Sequence, residues 1–155
     1  MPVNARMRIM PMTMDHLAAV MAVERESFSQ PWSRDAFKFE LIHNEIARYL
    51  VAVVQGTVVG YAGMWVLVDE AHVTNIAVLP EWRRQGIAKA LLSRLIEIAI
   101  AGGADKMTLE VRKSNWGARQ LYQDFGFQAL GFRRNYYSET REDAIVMWKF
   151  DLDQR

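Results

Sequence analysis

Apolar positions along the chain change their spacing repeatedly, and each change marks a new element. Arg8 to Met12 reads as a first short strand, preceded by a loose extension over residues 1–6. Thr13 or Asp15 then caps a helix that carries Leu17, Val20, Met21 and Phe28 along one side. Pro31 stops it. Ser33 is placed to cap a second helix, with Trp32 and Phe37 meeting across the cap as a hydrophobic staple. Tyr49 to Val54 and Val58 to Leu67 read as strands joined by a turn at Gln55-Gly56-Thr57, and a third run spans Ala71 to Val78. Ala88, Leu91, Leu92, Leu95 and Ala99 share one face of a helix that begins after Gly86 and ends at Gly102-Gly103. Met107 to Val111 is a strand. Asn115 to about Phe125 is a helix closed by Gly126 in the left-handed conformation, with Phe127 folding back on it. Two last strands, near Gln128 to Tyr136 and Ala144 to Leu152, flank a polar loop. This alternation implies an α/β fold built on one mixed sheet with helices on both faces, with all 155 residues in a single domain.

Composition narrows the chemistry more than the fold. With 51% hydrophobic and 24% charged residues, a chain of this size can bury about two-thirds of its unfolded surface without a disulfide or metal staple. A formal charge of +1 argues against a general nucleic-acid binder. The absence of cysteine removes thiolate catalysis, cysteine-ligated zinc and disulfides together. His16, His43 and His72 are scattered, with no His-Glu-x-x-His spacing, and no Gly-x-Ser-x-Gly elbow is present. No metal and no serine nucleophile are therefore expected, and each histidine reads as a surface or satisfied polar residue. There is no apolar signal core and no run of membrane-spanning length, so a cytoplasmic location without a membrane partner is expected.

The strongest local signal is Asn75-Ile-Ala-Val-Leu-Pro-Glu-Trp-Arg-Arg-Gln-Gly-Ile-Ala-Lys-Ala-Leu-Leu92, an apolar strand running through a basic turn into a helix. A helix start offers unpaired N–H groups and the positive end of the helix dipole to an anion. Gly86 permits close approach, Arg83 and Arg84 add charge that suits phosphate, and Ala88 keeps the first helical turn small. The stretch Arg83, Arg84, Gln85, Gly86, Ile87, Ala88, Lys89 resembles the pyrophosphate loop of the GNAT superfamily of acetyl-CoA-dependent N-acetyltransferases, and it fits neither a Walker loop nor the dinucleotide fingerprint. Leu109-Glu-Val-Arg-Lys-Ser-Asn115, followed by Ala118, Leu121, Tyr122, Gly126 and Phe127, resembles the second GNAT signature. Arg134-Asn-Tyr-Tyr137 with Glu142-Asp-Ala144 and Met147 resembles more narrowly the N-terminal protein acetyltransferases of the bacterial RimI type, which act on ribosomal-protein alanines.

That resemblance implies a GNAT-like acyltransferase fold with a largely antiparallel sheet, acetyl-CoA as co-substrate and a protein N-terminus, most naturally ribosomal, as acceptor. Glu110 is then the general base, acting through water, although an ion pair with Arg112 on the same strand face is the structural alternative. Tyr122 is the general acid for the departing thiolate, or else a packing tyrosine. Asn115 contacts the pantetheine arm, caps its helix, or does both. Ile76, Ala77 and Val78 offer main-chain groups to pantetheine, while Phe28 and Trp32 face Tyr136 and Tyr137 as the walls of a peptide groove. Glu24, Glu142 and Asp143, if they line the same groove, favour a basic residue near the start of the peptide. Trp116-Gly117 departs from the small residues usual after the asparagine and puts details of the CoA contact in doubt. The competing readings are acetylation of a small-molecule amine, N-terminal acetylation of broad specificity, and an acetyl-CoA-binding sensor or partner subunit without turnover.

Overall fold

The computed structural model describes residues 6–153, so the expected N-terminal extension lies outside the described residues except for Arg6. Strand β1 (Met7–Pro11) leads through a single 3-10 turn (Met14–His16) into helix α1 (Leu17–Ser27) and then helix α2 (Arg34–Ile42). Strands β2 (Ala47–Val54), β3 (Thr57–Leu67) and β4 (Glu70–Val78) follow, then helix α3 (Ile87–Ala101), strand β5 (Lys106–Arg112), helix α4 (Trp116–Asp124), and strands β6 (Gln128–Tyr137) and β7 (Glu142–Lys149). All seven strands share one sheet in the order β1-β2-β3-β4-β5-β7-β6. Among the described residues only β4 and β5 run parallel.

Several local signals act as their chemistry dictates. The β2–β3 turn holds Gln55 and Gly56 at φ 50° and 81°, the doubly left-handed conformation that matches strand twist. Ser33 Oγ accepts from Ala36 N–H at 3.1 Å, and the Trp32 and Phe37 rings stand 5.3 Å apart across that cap. At the end of α4, Gly126 sits at φ 93° while its N–H reaches Gln123 O at 2.9 Å and Phe127 N–H reaches Tyr122 O at 3.0 Å. Those two bonds are the Schellman arrangement, and they bury Phe127 against the Tyr122 ring.

The sheet is covered on both faces, as the element alternation implied. On one face α3 and α4 pack Leu91, Leu92, Leu95 and Tyr122 against Leu50, Met64, Val73, Met107 and Leu109. On the other, α1 and α2 contribute Leu17, Val20, Val23 and Phe37, which pack with Val51 and Tyr61. Two expectations need correction. Helix α1 ends at Ser27 rather than at Pro31, because Phe28 turns extended at φ −134° and the Trp32 N–H is drawn back to Glu24 Oε2 at 2.8 Å. The last strand ends at Lys149 rather than Leu152; the chain leaves the sheet there, and Leu152 is buried with its N–H on Asp105 O at 2.9 Å.

One irregularity positions everything that follows. Val73 pairs with Met64 and Asn75 with Gly63, which leaves Thr74 as an extra residue, a bulge in β4. The Tyr49 ring lies over Gly63, and its hydroxyl is held by Glu40 Oε1 at 2.9 Å and Thr74 Oγ1 at 2.9 Å. A methyl group at Gly63 would fall inside van der Waals contact with that anchored ring. Gly63→Ala is expected to destabilise the fold by about 2 kcal/mol or more, read as a lower urea midpoint at unchanged slope.

Candidate active site

Strands β4 and β5 pair only over Glu70, Ala71 and His72, opposite Lys106, Met107 and Thr108. Just past that point the Thr74 bulge bends β4 away, and Val73 to Val78 keep a strand partner only on the β3 side. The sheet thus opens as a fork, with one edge of β4 presenting main-chain groups that no strand satisfies. The fork leads into a cleft of about 580 Å³, and Phe28, Trp32, Ile76, Glu110, Asn115, Tyr122, Tyr136 and Tyr137 all line it. They come from the α1–α2 connection, β4, β5, α4 with its cap, and β6.

Glu110 owes its direction to strand alternation. Met107, Leu109 and Val111 point into the core beneath α3 and α4, so Glu110 points to the opposite face, on the side of α1 and α2. There its oxygens meet His72 Nε2 at 3.0 and 2.9 Å, and the Tyr136 hydroxyl donates to Oε1 at 3.3 Å. Burial pushes this carboxyl up, but the His72 hydrogen bond and charge, the Arg133 charge and the Tyr136 hydroxyl outweigh it and hold it below the ordinary glutamate value. The alternative pairing with Arg112 does not form. Arg112 turns instead to Glu139, to Glu142 and over the Tyr137 ring at 4.0 Å, because its guanidinium lies beyond the fork next to the β6–β7 loop.

Tyr122 belongs to the other face, buried in the core beneath α3 and α4. Burial, with a smaller contribution from Tyr137, raises its phenol well above the ordinary tyrosine value, so the proton stays on oxygen throughout the neutral range. The cleft therefore joins a carboxylate on one face of the sheet to a phenol on the other. Asn115 Oδ1 accepts from Ala118 N–H at 3.1 Å, so its capping role is met in the structure, and the residue still lines the cleft. Two buried oxygens, Ser27 Oγ and Asn75 Oδ1, have no hydrogen-bond partner within the described chain, and both residues also line the cleft.

The mouth of the cleft lies between the α1–α2 connection and the end of β6. Phe28, expected on the apolar side of α1, sits past the helix end and is partly exposed in the cleft wall. Tyr136 and Tyr137 stand edge to face at 5.2 Å, and burial pushes the Tyr137 phenol up to about 12. Ser29 Oγ donates to Glu139 Oε1 at 3.3 Å, tying the two walls together. Of the three acids expected in the groove only Glu24 lines it, buried, hydrogen-bonded to the Tyr61 hydroxyl and Trp32 N–H, with its carboxyl raised by burial. Glu142 is committed to Ser114 N–H at 2.6 Å and Asp143 to Asn135 N–H at 2.9 Å, and Glu139 takes their place in the lining.

Ala77, Val78, Arg83, Arg84, Gln85, Gly86, Ile87, Ala88 and Lys89 do not line this cleft; they continue from the free edge of β4 into the start of α3. Ala77, Val78 and Ile87 put their side chains in the core. Gly86 adopts φ 82° at the helix N-cap, no side chain caps that end, and Arg84 to Gly86 and Lys89 are exposed. Arg83 Nε donates to Val78 O at 2.9 Å, which fixes the turn and leaves the rest of its guanidinium outward. Sequence reasoning missed His72, set aside for want of a partner motif. The one available signal was its place on the polar side of an alternating strand, which has meaning only once β4 is known to lie beside β5.

Comparison with known proteins places this geometry. Residues 17–127 match the model of the acetyltransferase (GNAT) family. A Bacillus subtilis (strain 168) relative is 41% identical over 137 residues, covering 88% of this chain and 91% of its own length. The Escherichia coli (strain K12) protein named ribosomal protein bS18-alanine N-acetyltransferase is 40% identical over 135 residues, covering 84% of this chain and 88% of that protein. The crystal structure of the ribosomal-protein-S18-alanine N-acetyltransferase from Escherichia coli superposes with a TM-score of 0.85 at 35% identity over 94% of each chain. The family match spans well over half the chain and the relatives cover most of it, so this chain belongs to the GNAT family of acetyltransferases.

Proposed function

We propose that this chain, acting as one domain, transfers the acetyl group of acetyl-CoA to the α-amine of an N-terminal alanine, with ribosomal protein bS18 as its acceptor in the cytoplasm. The observation that carries the reading is the fork: a carboxylate held ionised on one face and a phenol held protonated on the other, joined through one cleft. The acceptor identity is drawn from the name of the Escherichia coli relative and the close superposition.

Acetyl-CoA fits the chain at two places. The free edge of β4 offers main-chain groups at Ile76 to Val78 for an extended amide-bearing arm, and the uncapped start of α3 with its outward arginines suits a diphosphate. In the cleft the amine nitrogen attacks the thioester carbonyl, the C–S bond breaks, and an amide and a thiol result. Glu110 accepts the proton lost from nitrogen, and Tyr122 supplies the proton that the departing sulfur takes up. The arithmetic suits an α-amine: deprotonation at pH 7 costs about 1.4 kcal/mol for a group near pKa 8, against about 4.6 kcal/mol for a lysine near 10.4. Tyr136, Tyr137, Phe28 and Trp32 hold the entering chain.

Gly86→Asp tests the diphosphate seat. It places a side chain and a negative charge at a left-handed position facing the phosphates, so acetyl-CoA affinity measured by calorimetry is expected to fall more than tenfold, about 1.4 kcal/mol. The function itself is tested with peptides that carry both a free N-terminal alanine and an internal lysine, including an Ala-Arg-Tyr-Phe start, with the acetyl group located by mass spectrometry. Acetyl on the α-amine is the expected result. Modification of the lysine, or a preference for spermidine over every peptide, would overturn the proposal.

A further inference from the structure

His72 is the feature of this cleft that neither the sequence motifs nor the acetyl-transfer reading uses. It is the last residue of β4 paired with β5, opposite Thr108, and Glu110 lies two residues further along β5. Its ring nitrogen therefore spans the fork at the point where main-chain pairing stops. Nε2 lies nearly equidistant from both carboxylate oxygens, at 3.0 and 2.9 Å. Only a protonated nitrogen is stable between two carboxylate oxygens, since a bare lone pair there would face two others. The Trp65 ring stands edge-on to the imidazole at 6.0 Å, and its indole N–H is fixed on Glu40 Oε1 at 2.6 Å. The histidine side chain is 33% exposed and that of the glutamate 10% exposed, so the imidazole forms the solvent side of the pair.

We infer that His72 is a positioning residue for acetyl transfer: its Nε2–H clamps both oxygens of Glu110 across the fork and fixes the direction of the base. The inference rests on the acetyl-transfer reading. Besides His72, the titratable and charged groups that act on Glu110 are the Tyr136 hydroxyl at 3.3 Å, the Tyr137 phenol and the Arg133 guanidinium, all from β6. They remain in any His72 variant and leave the carboxylate partly supported.

The test combines a variant series with a measurement on the unaltered protein. His72→Ala is expected to lower kcat for an N-terminal alanine peptide about tenfold with little change in acetyl-CoA affinity, because the base is still present but no longer held. The Glu110 carboxyl, followed by 13C NMR titration, should move to higher pH in that variant, and the acid limb of kcat should move with it. His72→Gln keeps a side-chain N–H donor and should recover part of the rate. In the wild-type protein, long-range 15N NMR should find the proton of the neutral imidazole on Nε2. An unchanged kcat and carboxyl titration in His72→Ala, or a wild-type tautomer with Nε2 bare, would overturn the inference. If His72→Ala does not fold, the glutamine variant and the tautomer decide. If the wild-type protein acetylates no peptide, the functional reading fails, while the titration and tautomer still judge the clamp.

Discussion

Glu110→Gln lowers kcat by roughly 10²-fold or more while acetyl-CoA continues to bind. Glutamine has the same shape and keeps an oxygen for Tyr136, but it has no basicity, so an amine arriving as ammonium must lose its proton to water unaided. The substitution also replaces a carboxylate oxygen facing His72 with an amide, which weakens the contact without opening a cavity. The stability consequence has a definite sign. Because the folded-state carboxyl lies below its ordinary value, wild-type Glu110 contributes stability above the unfolded pKa, and that contribution is lost as the pH falls through the lower folded value. The glutamine variant should therefore show a shallower loss of stability on acidification than the wild type. A variant that turns over at near wild-type rate would remove Glu110 from the chemistry and leave it a structural partner of His72.

Tyr122→Phe is expected to produce a loss of similar size by a different route. The ring remains against Phe127 at the Schellman turn, so melting should change little and acetyl-CoA affinity should be retained. What disappears is the proton that the proposed mechanism gives to the departing sulfur. In the wild type the raised phenol keeps that proton up to and beyond about pH 10, so no alkaline fall in kcat assignable to Tyr122 should appear below that pH. A Tyr122→Phe enzyme within a few-fold of wild type would reduce the residue to packing.

The parts legible in the sequence were those decided within a few residues. The Gln55-Gly56 turn, the Ser33 and Asn115 caps, the glycine at the start of α3 and the closure of α4 by Gly126 are each set by local backbone chemistry, and each is present in the structure. What escaped depends on partners distant in sequence. Thr74 ends the polar–apolar alternation of Glu70 to Val73 beside a second polar residue, Asn75, and that break is a bulge only against the β3 partners Gly63 and Met64. Glu139, rather than Glu142 or Asp143, reaches the cleft because the Ser114 N–H before α4 holds Glu142 and the Asn135 N–H of β6 holds Asp143. Phe28 kept helical spacing but lost the helix, since the Glu24 carboxylate pulled the following chain back on itself. Arg112 shares a strand face with Glu110, yet its partners were settled by where the β6–β7 loop crosses.

The Thr74 bulge also shows how little separates this enzyme from an ordinary sheet. Ala71 and Val73 pack toward α3 before the bulge, and Ile76 and Val78 do so after it, a step of three residues where a regular strand takes two. Deleting Thr74 would restore strict alternation: every apolar side chain of β4 would keep its face, and the strand would run straight enough to continue pairing beside β5. The healed protein would hold its core and gain backbone bonds, while the fork between β4 and β5 zipped shut. One residue thus separates a working catalyst from a more regular fold with nothing to catalyse, and a single-codon deletion is a mutation that stability screens would pass and activity screens would reject.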